Sequence, residues 1–484
     1  MKGGVSDLKP LDRNSKAPLF QQIIKQVIED IQNGRLQPGD KLPPERQLAK
    51  VYQVNRSTVN HALEELASLG WITRRQGSGT EISQGPWGSR QTPHYQWQAL
   101  LQRAPFTPDP YLTELNAAKA RPDVLDLYTG ELPASLIPDF AFPAMRWEKI
   151  LAAEQQVTAT GYEPLKEAIL HSLTQTFSLA SHNQDLLITS GSSQGISLIL
   201  QTLLAPTEAV ATEEPSFLFA LPLFQSLGIP LVGIPCDEEG ILPDALERSI
   251  LSKKIRFLYL NPTFQNPTGR LMSLTRRKVI VELCRKYSLP IIEDDVFGEL
   301  DFATPLPKLK ALAPELVIYL GSLSKLFGTS IKIGWLFGPV PLIASLAHAK
   351  QRLEAETTIF PQLLATSALQ SPEYPLNHHS LMTTLETRAH AFHQTLAPFE
   401  KDWQIRPIKG GLYTWLTWRH EPLQRKDWQL FLDAGLLVAP AFLFSKETNS
   451  FRLNYTRLET ADLPDFQRRF TVISEQLTLR SAKR

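Results

Sequence analysis

The sequence predicts a multidomain α/β protein, with a small, mostly helical N-terminal unit ahead of a large α/β domain. Three observations lead there. The chain has 484 residues, room for roughly two to four domains at about 150 residues each. Apolar residues recur at helical spacing near the N-terminus, and two further short helical stretches follow closely. From about residue 186 onward, short apolar strands alternate with helical stretches, as in a domain built on a largely parallel or mixed sheet.

Composition narrows the class. Hydrophobic residues make up 43% and charged residues 20%, close to globular averages, which excludes a disordered or collagen-like chain. The net charge is +1, so the whole chain has no bulk attraction for a polyanion. The first 83 residues hold 12 Lys+Arg against 9 Asp+Glu, which directs the question of a nucleic-acid partner to the N-terminus. Cys236 and Cys284 form neither a metal-ligand spacing nor a disulfide framework, so no metal is expected and a reducing cytoplasm suits them. No apolar run reaches the roughly 18 residues of a membrane helix. The opening MKGGVSDLKP lacks the apolar stretch of a secretory signal.

The first element is a helix over 19–33, with Phe20, Ile23, Ile24, Val27, Ile28 and Ile31 on one face. Asn33-Gly34 is a helix stop, since glycine takes the left-handed cap conformation cheaply. The turn-rich loop LQPGDKLPPER leads into a short helix at about 45–52. Gln53-Val54-Asn55 makes a three-residue turn before a second helix at about 56–69, whose inner face is Val59, Ala62, Leu63, Leu66 and Leu69. So short a turn between two helices predicts helix-turn-helix geometry. Arg56, Ser57, Thr58, Asn60 and His61, at the start of the second helix, would then enter a major groove. WITRRQGSGTEI reads as a two-stranded ribbon with a glycine-rich tip.

This segment closely resembles the winged-helix domain of the GntR family of bacterial regulators. The resemblance rests on the GRLxPGDxLPxER loop, the NRSTV start of the recognition helix and the QGSGT wing. It implies contacts with double-stranded DNA from Arg46, Arg56, Ser57, Thr58, Asn60, Gln76 and Gly77. An arginine common in the family at the position of Asn60 is absent here. The domain is expected over residues 1–83. Residues 84–110, rich in Gly, Pro, Gln and aromatics, read as a linker with a short helix near 95–103, packed through Trp87 or Trp97.

The large domain is expected over 111–484. Its strands fall at 186–190, 209–212, 230–234, 257–261, 290–295, 317–322 and 334–339, with a helix at 192–204. Such sheets bind ligands at the carboxyl ends of their strands, and polar clusters stand there. SLSK at 322–325 offers hydroxyls for a phosphate and a lysine able to carry a Schiff base. SGSSQ at 190–194 starts a helix whose N–H groups favour an anion. Asp294 ends an apolar strand, where a carboxylate could keep a pyridine nitrogen protonated. Asn266 lies in NPTG, and Arg452 in FRLNY could grip a carboxylate in a fork. Taken singly, each also reads as an ordinary cap, turn or solvated residue.

Together, in this order, they resemble the fold-type I pyridoxal phosphate (PLP)-dependent enzymes of the aminotransferase family. GYEPLKEAI, ITSGSSQG, EEPSF, NPTFQNPTG, PIIEDDVFGEL, YLGSLSK, GGLYTWL, LLVAPAFLF and FRLNY all match in order. The resemblance implies that Lys325 forms the Schiff base with pyridoxal 5'-phosphate. Asp294 would pair with the ring nitrogen, Asn266 with the ring hydroxyl, and Phe217 would stack on the ring. Ser192, Ser193, Ser322 and Ser324 would hold the phosphate, and Arg452 an α-carboxylate. Three positions depart from the family. Lys332 replaces a phosphate-binding arginine, so the bidentate fork is lost. Phe297 replaces a tyrosine, and Gln156 stands where a tyrosine of the dimer partner reaches the phosphate.

The two halves together resemble the MocR subfamily of GntR-type regulators. That implies a cytoplasmic bacterial transcription regulator, homodimeric, sensing PLP or an amino compound through Lys325. Phe297 and Gln156 speak against fast transamination, so no physiological turnover is expected. Two other readings stay open: an active aminotransferase with secondary DNA binding, and a cofactor-free dimerisation scaffold.

Overall fold

The computed structural model describes residues 11–83 and 109–481, except 14, 16, 33–34, 76–78, 141, 143–145 and 354–356. The chain divides into two compact units, Met1–Thr107 and Pro108–Arg484.

In the first unit, α1 (Leu19–Gln32), α2 (Glu45–Tyr52) and α3 (Arg56–Ser68) pack around Ile23, Val27, Leu48, Val59, Leu63 and Leu66. The 3- and 4-residue spacing of these side chains gives each helix one apolar face. Phe20 and Ile28 lie at the edge of this core, partly buried. Gln53 takes the left-handed conformation (φ 51°) that closes α2 and turns the chain into α3. Leu69 was expected on the inner face but is 52% exposed. The helix ends at Ser68, and Leu69 is its cap residue, so it no longer follows the buried stripe. The ribbon forms as β2 (Ile72–Arg75) and β3 (Gly79–Ile82). A third strand, β1 (Lys41–Leu42), pairs with β3 inside what the sequence presents as a loop. The Asn33-Gly34 stop, the wing tip 76–78 and nearly all of the expected linker lie outside the described residues. The last expected linker position, Pro110, begins a helix, Pro110–Ala118, with Asp109 accepting from the Tyr111 N–H.

The second unit is built on an eight-stranded sheet. In chain order its strands are β4 (Gln184–Thr189), β5 (Ala209–Glu214), β6 (Leu231–Asp237), β7 (Gly240–Ile241) and β8 (Ile255–Leu260). Then come β9 (Ile291–Asp294), β10 (Val317–Ser322) and β11 (Gly334–Pro339). Their spatial order is β7-β6-β5-β8-β9-β10-β11-β4. The run from β6 through β10 is parallel. β11 is antiparallel to both its neighbours, β10 and β4, so the sheet is mixed. β9 and β10 are buried along their whole length, and for that reason they read in sequence as continuous apolar runs rather than alternating ones. α4 (Ser192–Leu203) follows β4. It packs closely on the sheet: a Cβ on Gly195 would come within 2.7 Å of Leu320.

A smaller antiparallel sheet has the order β12 (Trp403–Ile405), β13 (Tyr413–Trp418), β15 (Ser450–Asn454), β14 (Ala439–Pro440). Trp403, Trp418, Trp428 and Phe451 form its core. β15 is flanked on both sides, and Arg452 faces Trp415 across one ladder and Ala439 across the other. Among the described residues no helix is long and apolar enough to cross a membrane.

Candidate functional site

In the first unit the expected DNA-contact residues gather at the starts of α2 and α3. Arg46, Arg56 and Ser57 are exposed, while Thr58 and Asn60 are half-buried. Gln76 and Gly77 lie outside the described residues. A network the sequence did not disclose ties the helices to the wing. The Glu45 carboxylate accepts from Arg56 Nε at 2.9 Å and from Arg74 Nη2 of β2. Arg74 Nη2 also donates to Asn60 Oδ1 at 3.0 Å, and Asn60 donates to Glu64 at 2.7 Å. One carboxylate thus sets two guanidiniums side by side on the exposed face.

In the second unit the carboxyl ends of the parallel strands converge on one edge. The chain leaves β5 towards β6 on one side and returns through β8 on the other, a topological switch point. Phe217 follows β5 and Asn266 follows β8, and the Phe217 N–H donates to the Asn266 carbonyl at 3.0 Å. Asn266 is steadied further by its own N–H, which donates to Asn261 Oδ1 at 2.7 Å.

Asp294 ends β9 and is 4% exposed. Tyr259 on β8 donates its hydroxyl to Asp294 Oδ2. Burial pushes the Asp294 carboxyl up to about 6, against the opposing pull of the Tyr259 hydrogen bond and the charge of Lys325. Lys325 follows β10, with its Nζ 2.7 Å from the Gly130 carbonyl oxygen and 5.8 Å from the centre of the Phe297 ring. Tyr413 donates to the same Gly130 oxygen at 2.9 Å and meets Phe297 edge-on.

Arg452 is 6% exposed. Its Nη1 donates to Asn266 Oδ1 at 2.8 Å and its Nη2 to the Tyr128 carbonyl at 2.6 Å. Its guanidinium lies 4.4 Å from the Tyr413 ring centre, and its Nε is buried without a partner. The structure thus joins Phe217 to Asn266, Asn266 to Arg452, and Arg452 through Tyr413 and Gly130 to Lys325.

The serines divide. Ser192 and Ser193 open α4, where first-turn backbone N–H groups, which have no intrahelical acceptor, and the helix dipole favour an anion. Gly334, at the start of β11, lies against this turn. A Cβ there would stand 2.5 Å from the Gly191 carbonyl carbon and 2.6 Å from the Ser192 nitrogen. Ser322 Oγ donates to the Ile333 carbonyl and accepts from the Ser324 N–H, both at 3.2 Å, so its hydroxyl shapes the lysine loop. Lys332 is exposed in left-handed backbone, φ 42°. Among the described residues no hydrogen bond or ion pair links it to the other candidates. Gln156 is exposed.

Sequence reasoning missed Tyr259, Tyr413 and the segment 128–131. Asn454 clasps that segment through the Thr129 and Glu131 carbonyls at 2.7 and 2.9 Å. A buried carboxylate and a lysine at the ends of neighbouring strands, a helix start, and a guanidinium bonded to Asn266 can hold a phosphorylated, protonated heterocycle and a carboxylate together.

Fold and geometry define the class: a winged helix-turn-helix unit joined to a fold-type I aminotransferase-like domain. Residues 19–82 match the family of bacterial regulatory proteins, gntR family, and residues 122–470 the family aminotransferase class I and II. The chain belongs to the GntR-type HTH transcriptional regulators of MocR architecture, in which these two domains are fused. The uncharacterized HTH-type transcriptional regulator YisV of Bacillus subtilis (strain 168) is 34% identical over 466 residues, covering 93% of this chain and 95% of that protein. The uncharacterized HTH-type transcriptional regulator YdfD of the same organism is 32% identical over 463 residues, 93% of this chain and 94% of that one. Among solved structures, the kynurenine aminotransferase of Pyrococcus horikoshii, in complex with PMP, is 26% identical with a TM-score of 0.70. That match covers 78% of this chain and 96% of the other. DNA is the partner that the GntR domain implies.

Proposed function

We propose that this regulator binds pyridoxal 5'-phosphate at the edge of its large sheet and that the cofactor, or an amino compound reacting with it, changes binding to promoter DNA. The observation that carries the reading is the buried Asp294, bonded by Tyr259 at the end of β9, with Lys325 just past the end of the neighbouring parallel strand β10, in a chain that also holds a DNA reader.

Three features of the structure fit the cofactor. Asp294 is a buried carboxylate whose charge is only partly compensated by Tyr259 and Lys325. The absence of a Cβ at Gly334 lets β11 pack directly on the turn at Gly191 and Ser192, which fixes the start of α4, an anion-favouring helix N-terminus, at the strand ends. Arg452 has a buried Nε with no hydrogen-bond partner among the described residues. When bound, pyridoxal phosphate supplies an aldehyde for amines and a protonated ring that withdraws electrons. In this reading Lys325 holds the cofactor covalently, Asp294 keeps the ring nitrogen protonated, Asn266 orients the ring hydroxyl and Phe217 covers one ring face. Ser192, Ser193 and Ser324 hold the phosphate, with Ser322 shaping their loop and Lys332 adding charge. Arg452 receives the carboxylate of an amino effector. Phe297 brings no hydroxyl to Lys325, which suits sensing better than turnover. The regulator would act in the cytoplasm, as a homodimer that sets two winged helices on two half-sites. Arg46, Arg56, Ser57, Thr58, Asn60, Gln76 and Gly77 would face the DNA.

Titration with pyridoxal phosphate, followed by absorbance and by mass after borohydride reduction, tests the site. The expected result is one cofactor per chain on Lys325 and none in Lys325→Ala. Attachment to another lysine, or no attachment, would overturn the reading. Arg452 beside Asn266 favours a second reading, a working aminotransferase. That reading requires amino-group transfer from an amino acid to a 2-oxo acid, lost in Lys325→Ala.

A further inference from the structure

A cleft of about 290 Å³, lined by two arginines and three glutamates, opens in the large domain, and Lys325 is not among its lining residues. Thr268, Arg270, Arg406, Trp415, Glu214 and Glu238 are among the residues that line it. Arg270 is 8% exposed, and its Nε and Nη1 are buried with no hydrogen-bond partner. Among the described residues no carboxylate comes within ion-pair distance of it. Arginine this deeply buried is nearly always paired. Burial works most strongly against its protonated form and the like charge of Arg406 adds to this, while the charges of Glu213 and Glu238 oppose it. Arg406 offers Nη1 and Nη2 to Glu238, while its Nε is buried and unpartnered as well. The Glu238 side chain is 71% exposed, so it is a solvent-side counterion that a ligand can displace. Arg406 thus holds one solvent-side carboxylate, and Arg270 on the same cleft wall holds none among the described residues.

We propose that this cleft binds a small oxyanion, a carboxylate or phosphate head group, between Arg270 and Arg406. Guanidinium forks suit such groups bidentately. Glu214 and Glu447, also on the cleft wall, limit the ligand to a small head group and repel an extended polyanion. The site is separate from Arg452 but backs onto it. Thr268 follows Asn266 by two residues, and Trp415 faces Arg452 across the β13–β15 ladder. An occupant can therefore influence the residues that hold Asn266 and Arg452.

Calorimetric titration of inorganic phosphate and of succinate into the full-length protein, at constant ionic strength, tests the proposal. Saturable binding of either anion is expected to persist in Arg452→Gln and Ser324→Ala, in which the groups proposed for an α-carboxylate and for the cofactor phosphate are removed. It should be weaker by about tenfold or more in Arg270→Gln and partly restored in Arg270→Lys. Glu238→Gln, at an exposed position with no burden on folding, should bind more tightly because the competing carboxylate is gone. Binding of phosphate alone would assign a phosphate ligand, and of succinate alone a carboxylate. Absence of saturable binding by both anions, binding lost in Arg452→Gln, or unaltered binding in Glu238→Gln would overturn it.

Discussion

Asp294 concentrates the chemistry of the proposed site in one side chain. Its carboxyl is raised from an ordinary 3.8 to about 6 because burial disfavours its charge. A folded-state value above the unfolded one means that the neutral form stabilises the fold. This contribution is present below about pH 4 and is lost as pH rises through about 6. A protonated ring nitrogen would offset that loss. Cofactor should therefore stabilise the protein most above about pH 6, and its affinity should fall as pH falls through that value. A cofactor titration by absorbance between pH 5 and 8 checks this, and Asp294→Asn should flatten the profile. Lys325, Asp294 and Asn266 could be named from sequence because each stands in a polar cluster following or ending an apolar strand, and Arg452 because it lies in the motif FRLNY. Tyr259 could not, because a tyrosine inside the run FLYLN reads as core. Its hydroxyl gains a role only once β8 and β9 lie in parallel register. Arg270 was equally hidden: nothing local in NPTGR marks an arginine as buried and unpaired.

Among the elements, the turn at the start of α4 is held by contact with β11. Gly334→Ala would drive a methyl group into the Gly191 carbonyl carbon and the Ser192 nitrogen. Overpacking of this kind costs about 1–3 kcal/mol. We expect cofactor affinity to fall by about tenfold, with the fold retained, as measured by cofactor titration alongside circular dichroism. In the winged helix, Leu66 is wholly buried in α3. Leu66→Ala should destabilise that unit by about 2–5 kcal/mol and abolish DNA binding, while cofactor titration stays as in the native chain. Glu45→Gln would remove the carboxylate that holds Arg56 and Arg74 together. Freed of it, both guanidiniums become available to phosphates. Affinity for random-sequence duplex should rise and depend more steeply on salt, as read by fluorescence anisotropy. Element positions were largely legible: the strands at 317–322 and 334–339 and the helix starts at 45, 56 and 192 coincide with expectation. The exceptions have local causes. β1 is two residues long and exists only through pairing with β3. The reversal of β11 leaves no mark on its own apolar run.

In the whole molecule, a DNA-reading unit and an aminotransferase-like unit share one chain. A ligand at one can alter binding at the other only by as much as it prefers one state of the protein over another. The division into two kinds of domain was legible because the period of the apolar pattern changes between them. The contacts of the segment 128–131 with Arg452 and Asn454 were not, since they span more than 300 positions of sequence. In the proposed function, cofactor binding is read out on DNA. The most direct test is the affinity of the full-length protein for its own gene's upstream region, at one fixed salt concentration, with and without pyridoxal phosphate. A shift in affinity or footprint is expected in the native chain and none in Lys325→Ala. Equal binding with and without cofactor, in a protein shown to carry it on Lys325, would mean that the cofactor site and the DNA reader do not communicate.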